Sequence, residues 1–575
     1  MRLLQATVSI ASRGPAPNRW DLAAAPLILG LLALLATGLH ELGGPLAAVA
    51  RPLSLDPSAL PEYALRTTLR MLAAMAASLV FTFLYATLAA KSRRAAPVLI
   101  SILDILQSVP VLGFLSFTVL FFLSLFPGRV LGAELAAVFA VFTSQAWNMA
   151  FSFYQSLRTV PRDLDEATRG FRLSAWQRFW RLEVPFAMPG LVWNMMMSMS
   201  GGWFFVVAVE AISVGNRTIT LPGIGSYVAL AIERHDLSAI GWAVAAMLLV
   251  ILAYDQLLFR PLVAWAARFR VEQTGAQTVP RSWVRRLLRR TRLIRALARP
   301  IGRLAQGLAR LRLSLPVPAA STRLAPPARL IDAIWYGAIA VAGAYGLWLA
   351  VRFVGAGVPT SELPTVLGLG LLTMIRVVVL MALATLVWVP VGVWTGLNPR
   401  LAQAVQPAAQ FLAAFPANLL FPVFVVAIAH FRLDADIWLS PLMILGSQWY
   451  ILFNVIAGAS AFPTDLREAA ATYKLHGRLW WARIILPGVF PYYVTGAITA
   501  SGGAWNASIV AEMASWGDTR FVAHGLGAYI AEATAAGDYP RIVLGIAVMS
   551  LFVVLFNRLL WRRLYRFAER RLRFD

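Results

Sequence analysis

The sequence predicts an all-α polytopic membrane protein of about twelve transmembrane helices, arranged as two parallel six-helix repeats with both termini cytoplasmic. Three observations carry this. The 575 residues are 59% hydrophobic and only 14% charged, with a mean hydropathy of +0.69, too apolar for a soluble globular chain of this length. Apolar runs of roughly 20 residues, each matched to a hydrocarbon core of about 30 Å, recur along the chain, and no long alternating strand pattern competes with them. The third observation is that one pattern occurs twice.

Basic residues mark the cytoplasmic ends of spans, and that rule threads the chain without conflict. Arg2, Arg13 and Arg19 place the N-terminus inside, and a first span over 22–41 lacks a cleavable signal pattern, so it is expected to be retained. The next spans cover 65–90, returning to Lys91, Arg93 and Arg94; 96–126, interrupted by Pro110; 133–157, ending at Arg158; 185–212; and 238–259, returning to Arg260, Arg268 and Arg270. Six more follow over 330–354, 366–396, 402–430, 437–460, 487–513 and 540–561, before a basic tail that ends inside.

At an offset of 302, Trp147 falls on Trp449, Asp163 on Asp465, Glu166 on Glu468, Pro185 on Pro487, Glu210 on Glu512, and Gly223 and Gly225 on Gly525 and Gly527. Earlier the offset is 306, with Arg70 on Arg376 and Pro110 on Pro416. An even number of spans per copy makes the copies parallel, related by a pseudo-twofold axis along the membrane normal that puts a pathway between them. The expected organisation is an N-terminal tail, first span and periplasmic loop (1–61), a first repeated domain (62–267), a basic linker (268–329), a seventh span (330–361), a second repeated domain (362–567) and a cytoplasmic tail (568–575).

Cysteine is absent and the five histidines are scattered, which argues against disulfides or a metal site. The only lysines, Lys91 and Lys474, do not follow glycine, so the chain lacks a phosphate-binding loop. No catalytic residues are expected, and any nucleotide that drives this protein is expected on another chain. The net charge of +24 concentrates in the linker: Arg281 to Arg312 contains eleven arginines and no acid. Val284, Leu287, Leu288, Ile294, Leu297, Ile301, Leu304, Leu308 and Leu311 recur there every three or four residues, the pattern of a basic amphipathic helix on an anionic membrane surface.

Between spans lie two related charged stretches, DLDEATRGFRLSAWQRFWRLEVP (163–185) and DLREAAATYKLHGRLWWARIILP (465–487). Each reads as two short helices or one bent helix on the cytoplasmic face; Asp465 is placed to cap the second copy with Glu468 three residues on. Their sequences resemble the permease subunits of type I ATP-binding cassette importers, whose loop signature is Glu-Ala-Ala, a glycine four residues after the last alanine, and a Leu-Pro opening the next span. Glu468, Ala469, Ala470, Leu486 and Pro487 match in the second copy. Glu166, Ala167 and Pro185 match in the first, where Thr168 and Val184 replace alanine and leucine. The glycine position holds Arg172 and Lys474, followed by Leu173 and Leu475.

The resemblance implies that both loops are coupling helices seated in two ATPase subunits, which bind the ATP and magnesium, while this chain is no enzyme and holds no cofactor. It also implies a periplasmic substrate-binding protein, with LPGIGSY (221–227) and HGLGAY (524–529) as candidate docking elements, and a bacterial cytoplasmic (inner) membrane location. The wording around Arg70 and Glu512, and the fusion of two units, is similar to the nitrate, sulfonate, taurine and bicarbonate branch, which points to a small anion. A proton-coupled six-plus-six secondary transporter, or an importer for a different small polar solute, is the alternative.

Charged groups inside spans face a cavity or each other. Arg70 and Glu210, and Arg376 and Glu512, are expected to form two symmetric ion pairs around the pathway. Ser200, Gly201, Gly202 and Trp203, and Ser501, Gly502, Gly503, Trp505, Asn506 and Ser508, read as mid-membrane breaks in spans five and eleven where backbone and polar groups meet cargo; close packing through small residues explains them equally well.

Overall fold

The computed structural model describes residues 18, 20–21, 30, 53–214, 217–269, 282–291, 293–312, 328–460, 462, 466, 468, 470, 472–516 and 519–571. The predicted span over 22–41, apart from Gly30, and Asp465 and Ala469 lie outside the described residues. The chain divides into two compact units. One comprises 1–41, 152–194 and 253–325, and the other 42–151, 195–252 and 326–575.

Among the described residues the regular structure is helical, apart from two short hairpins. Among the described residues eight helices are long and apolar enough to cross a membrane, or nine if one bent pair counts as a single span. α1 (Leu60–Lys91) and its repeat α7 (Leu363–Gly396) both open with proline in the first turn, where the missing N–H costs nothing. α2 (Ala95–Ser108) and α3 (Leu115–Leu125) form the predicted third span, interrupted at Pro110, which starts a 3-10 turn over Val111–Phe114. The repeat does the same: Pro399–Ala414 and Phe421–Phe431 are bent by 77° around a turn at Ala417–Leu420 that follows Pro416. α4 (Val130–Arg158) and α5 (Val184–Val209) give the next two spans, and α6 (Leu237–Tyr254) the one after.

α4 and its repeat differ. Where α4 is one helix, the region predicted as a span over 437–460 contains a helical turn at Ala435–Trp438, a 3-10 turn at Ser440–Met443 and a 12-residue helix, Trp449–Ser460. Pro441 and Gly446 interrupt the sequence there, so neither the donor pattern nor the backbone entropy favours one continuous helix. The seventh predicted span is Ala328–Gly357, whose apolar side chains, including Ile334, Val341, Leu347 and Val351, are exposed nearly all round, as suits a helix set in lipid. The last two spans are α8 (Leu486–Ala511) and α9 (Tyr539–Phe556).

Each of α5 and α8 is preceded by a π-helical turn, Phe179–Glu183 and Trp481–Ile485. Pro185 and Pro487 follow after one intervening residue, Val184 or Leu486. A widened turn there accommodates the absent N–H and the ring's approach to the carbonyl four residues back.

The hydropathy pattern does not mark the hairpins. β1 (Ala211–Val214) pairs with β2 (Arg217–Thr220), and β3 (Met513–Trp516) with β4 (Thr519–Val522), both antiparallel, with Ala211 opposite Thr220 and Met513 opposite Val522. Each hairpin starts directly after a buried glutamate, and the glutamate's own carbonyl closes it, accepting from Leu221 at 2.9 Å and from Ala523 at 2.8 Å.

Candidate functional site

Two polar clusters of the same design lie in the larger unit. In the first, the Arg70 guanidinium on α1 donates from Nη1 to Glu210 Oε1 at 2.7 Å, the pairing expected from sequence. It also makes a two-pronged contact to Glu134 of α4, with both distances 2.6 Å, and donates to the Pro222 carbonyl at 2.9 Å. Glu210 is fully buried, and its remaining acceptor capacity is filled by the Thr67 hydroxyl at 2.7 Å and the Gly225 N–H at 2.7 Å. A Cβ on Gly223 would strike this carboxylate, and one on Gly225 the Val207 carbonyl, so both glycines are required by close approach.

The second cluster repeats the first partner by partner. Arg376 Nη1 donates to Glu512 Oε1 at 3.3 Å and to the His524 carbonyl at 2.8 Å, and Nη2 to Asp436 at 2.9 Å. Glu512 accepts from Thr373 at 2.8 Å and from the Gly527 N–H at 2.7 Å, with Gly525 and Gly527 pressed against it. Sequence reading missed the third members. Glu134 and Asp436 stand 302 apart, as do Glu210 and Glu512, and that acid-on-acid coincidence was the available signal.

Asp436 lies in the short helix Ala435–Trp438, outside the long spans, and holds both the ring and the backbone N–H of His524, at 2.9 and 2.6 Å. Partial burial pushes its carboxyl up, but the His524 hydrogen bonds and the Arg376 charge outweigh this and hold it below the usual carboxylate range. Each cluster joins the hairpin and the segment after it to the second span of its own copy. Both carboxylates of each cluster are hydrogen-bonded to its arginine, which makes the arrangement a staple.

The two copies meet in the larger unit through their proline turns. Val111 N–H donates to Asn506 Oδ1 at 2.8 Å, and Asn418 Nδ2 donates to the Phe204 carbonyl at 3.2 Å. Phe204 and Asn506 are themselves 302 apart, so each copy's turn touches the same position on the other copy's helix.

The expected mid-membrane breaks at Ser200–Trp203 and Ser501–Asn506 do not occur. α5 and α8 are continuous through both. The glycines serve packing instead: a Cβ on Gly202 would meet Met71 and Gln145, and one on Gly503 would meet Ser447. Ser200, Ser501 and Ser508 each donate back to their own helix, to Met196, Ile498 and Trp505 carbonyls. Trp203 and Trp505 are both buried. Among these residues the Trp505 indole N–H is buried without a hydrogen-bond partner, Gly502 has open space where a Cβ would stand, and Gly201 faces the Tyr450 hydroxyl across the boundary between copies.

The first charged loop forms a helix, Arg162–Gly170, and then a short one, Ala175–Arg178, that runs through the π turn into α5. The cap is at Pro161 rather than at an acid, and Asp163 sits in the first turn, favourable for the helix dipole. The capping box is instead at Ser174 and Gln177. In the second loop Leu466, Glu468, Ala470 and Thr472 are helical, and Gly477–Trp480 is the following short helix. Asp163, Glu166, Ala167 and Glu468 are exposed, Thr168, Leu173, Leu475, Pro185 and Pro487 half-buried, and Ala470 buried.

Arg172 and Lys474, where the signature has glycine, both take φ of +50°. The chain keeps the left-handed turn without the residue that adopts it freely, at a cost of about 1 kcal/mol each. In both loops the next N–H reaches back to close the helix, Leu173 to Thr168 at 3.1 Å and Leu475 to Ala470 at 2.9 Å. Beside these turns Phe171 and Tyr473, again 302 apart, are 79% and 78% exposed. Sequence reading passed over them.

Residues 78–260 and 388–574 each match the family described as the binding-protein-dependent transport system inner membrane component. The chain belongs to this family and carries its domain twice. It is 28% identical over 184 residues to the nitrate import permease protein of Leptolyngbya laminosa, covering 32% of this chain and 62% of that protein. It is 28% identical over 177 residues to the bicarbonate transport system permease protein of Synechocystis sp., covering 31% and 60%. It is 26% identical over 230 residues to the glycine betaine/proline betaine transport system permease protein of Escherichia coli, covering 40% and 61%. The matched stretches thus span about 60% of the length of these relatives.

Proposed function

We propose that this chain is the complete pair of membrane domains of an ATP-driven importer in the bacterial inner membrane, with 62–267 and 362–567 as the two domains. In this reading cargo passes between the copies and two ATPase subunits, carrying ATP and magnesium, drive the cycle from the cytoplasm. The chain itself performs no chemistry. The observation that carries the reading is the matched pair of loops, each with an exposed aromatic, Phe171 or Tyr473, beside a left-handed turn and an exposed glutamate, Glu166 or Glu468. An aromatic anchor on a rigid turn is the kind of residue that dominates binding in a docking interface.

The cargo we infer is a small anion delivered by a periplasmic binding protein. The names of the nitrate and bicarbonate relatives support this. The decisive experiment is co-purification of the chain with an ATPase, followed by uptake of labelled nitrate, bicarbonate, a sulfonate and a betaine into proteoliposomes. ATP-dependent anion uptake, abolished together with ATPase binding by Glu166→Arg and Glu468→Arg, is the expected result. Uptake by the purified chain without ATP would sink the importer reading, and betaine uptake alone would move the cargo to zwitterions.

A further inference from the structure

The arginine-rich linker folds, in its described part, as Trp283–Arg290 and Leu293–Arg310. On and just past the second helix, Leu304, Leu308 and Leu311 recur at i, i+4 and i+7 and are 67%, 50% and 44% exposed. At about 100° per residue, Arg299, Arg303 and Arg310 fall within about 40° of one another, roughly a third of a turn from the leucines. All three are exposed. An acidic protein or a nucleic acid would satisfy the arginines and leave the leucine stripe in water. A bilayer with anionic headgroups satisfies both, taking leucines at the acyl boundary and guanidinium groups at the phosphates.

The same helix is tied to the first charged loop. Trp176 Nε1–H donates to the Leu308 carbonyl at 2.7 Å, and Gln177 Nε2 to the Arg310 carbonyl at 2.8 Å. Both are last-turn carbonyls, beyond the helix's regular ladder, and the Leu308 carbonyl also accepts from the Leu311 N–H at 3.2 Å. Gln177 is held in turn by its capping box with Ser174. In the second loop the corresponding residues are Arg478 and Leu479. Leucine has no side-chain donor, so the second copy does not encode this pair of caps.

We propose that Leu293–Arg310 is a docking surface for anionic phospholipid, and that Trp176 and Gln177 pass its occupancy to the first loop. The lipid surface stands apart from the importer reading; an effect on transport rests on that reading of the loop. Amide exchange of the full chain would be followed in nanodiscs of phosphatidylcholine alone and of phosphatidylcholine with phosphatidylglycerol. Exchange over 293–312 should slow about tenfold with the anionic lipid, and exchange over 163–178 should slow with it. Arg299→Gln/Arg303→Gln/Arg310→Gln, and separately Leu304→Ser/Leu308→Ser, should abolish the slowing. Trp176→Phe/Gln177→Leu should keep it at 293–312 and lose it at 163–178. Equal exchange in the two disc types overturns the lipid surface. So does protection in phosphatidylcholine discs that appears only with inorganic phosphate, RNA or an ATPase. A loop that ignores lipid in the wild type, or still responds in the Trp176/Gln177 variant, overturns the tether. None of these measurements needs transport or ATPase binding, so their failure is distinguishable from failure of the importer reading.

Discussion

The Arg70 and Arg376 clusters are two executions of one design, and they differ in how far water reaches them. The Arg70, Glu134 and Glu210 side chains are 4%, 15% and 0% exposed, whereas Arg376, Asp436 and Glu512 are 10%, 40% and 2%. The first uses a longer acid on an unbroken helix and a Pro222 carbonyl. The second uses a shorter acid on a helical turn, and His524 replaces the proline. A guanidinium enclosed by two carboxylates in low dielectric is hard to leave unpaired, while one partly open to water can be rescued by it. The first copy is therefore the rigid one, and the second has the more yielding staple.

That contrast sets the order of expected effects. Glu210→Gln should cost about 3–5 kcal/mol, because it weakens the pairing of a buried guanidinium; Glu512→Gln should cost visibly less, and thermal unfolding of the purified protein in detergent compares them. Equal losses would erase the distinction between copies. Next, Gly225→Ala and Gly527→Ala should each lower stability by about 1–3 kcal/mol through overpacking, read as a lower melting temperature with slower recovery of the hairpin's amide protection. Phe171→Ala and Tyr473→Ala should each weaken ATPase association by about 2 kcal/mol, a hot-spot-sized effect, with the folded chain's melting temperature unchanged. Arg172→Gly and Lys474→Gly should stabilise by about 1 kcal/mol, since glycine removes the left-handed strain.

The smallest effect is one of pH. The Asp436 carboxyl is held below its ordinary range in the folded chain, so its contribution is fully present above the ordinary carboxylate value and is lost as pH falls through the depressed one. Amide protection over 519–529, measured relative to the intrinsic exchange rate at each pH, should fall on acidification, and Asp436→Asn should remove that response.

Much of this was legible in sequence because hydropathy, arginine placement and an internal offset are one-dimensional signals. The Arg70–Glu210 and Arg376–Glu512 distances fit the expected pairing since few partners suit a charge inside a span. Glu134 escaped because it sits at the edge of its span, where an acid raises no alarm. The 437–460 region misled because its apolar content satisfies a length criterion while Pro441 and Gly446 cut the helix. Ser-Gly-Gly-Trp read as a break because glycine weakens isolated helices, whereas here Met71, Gln145 and Ser447 fill the space it leaves. The left-handed turns at Arg172 and Lys474 were signalled only by the glycine that the resembling signature keeps there, since nothing local distinguishes a basic residue forced to φ of +50° from any other.

The crossing of proline turns at Phe204 and Asn506 has a consequence for how such a protein evolves. In a dimer of identical chains every substitution arrives twice, related by the axis, so a hydrogen-bonding amide on one wall requires the same amide on the other. Fusing the copies releases that constraint. One helix carries a phenyl ring and the other a carboxamide at the equivalent position, so one turn is held by a side chain, Asn506, and the other by a backbone carbonyl, that of Phe204.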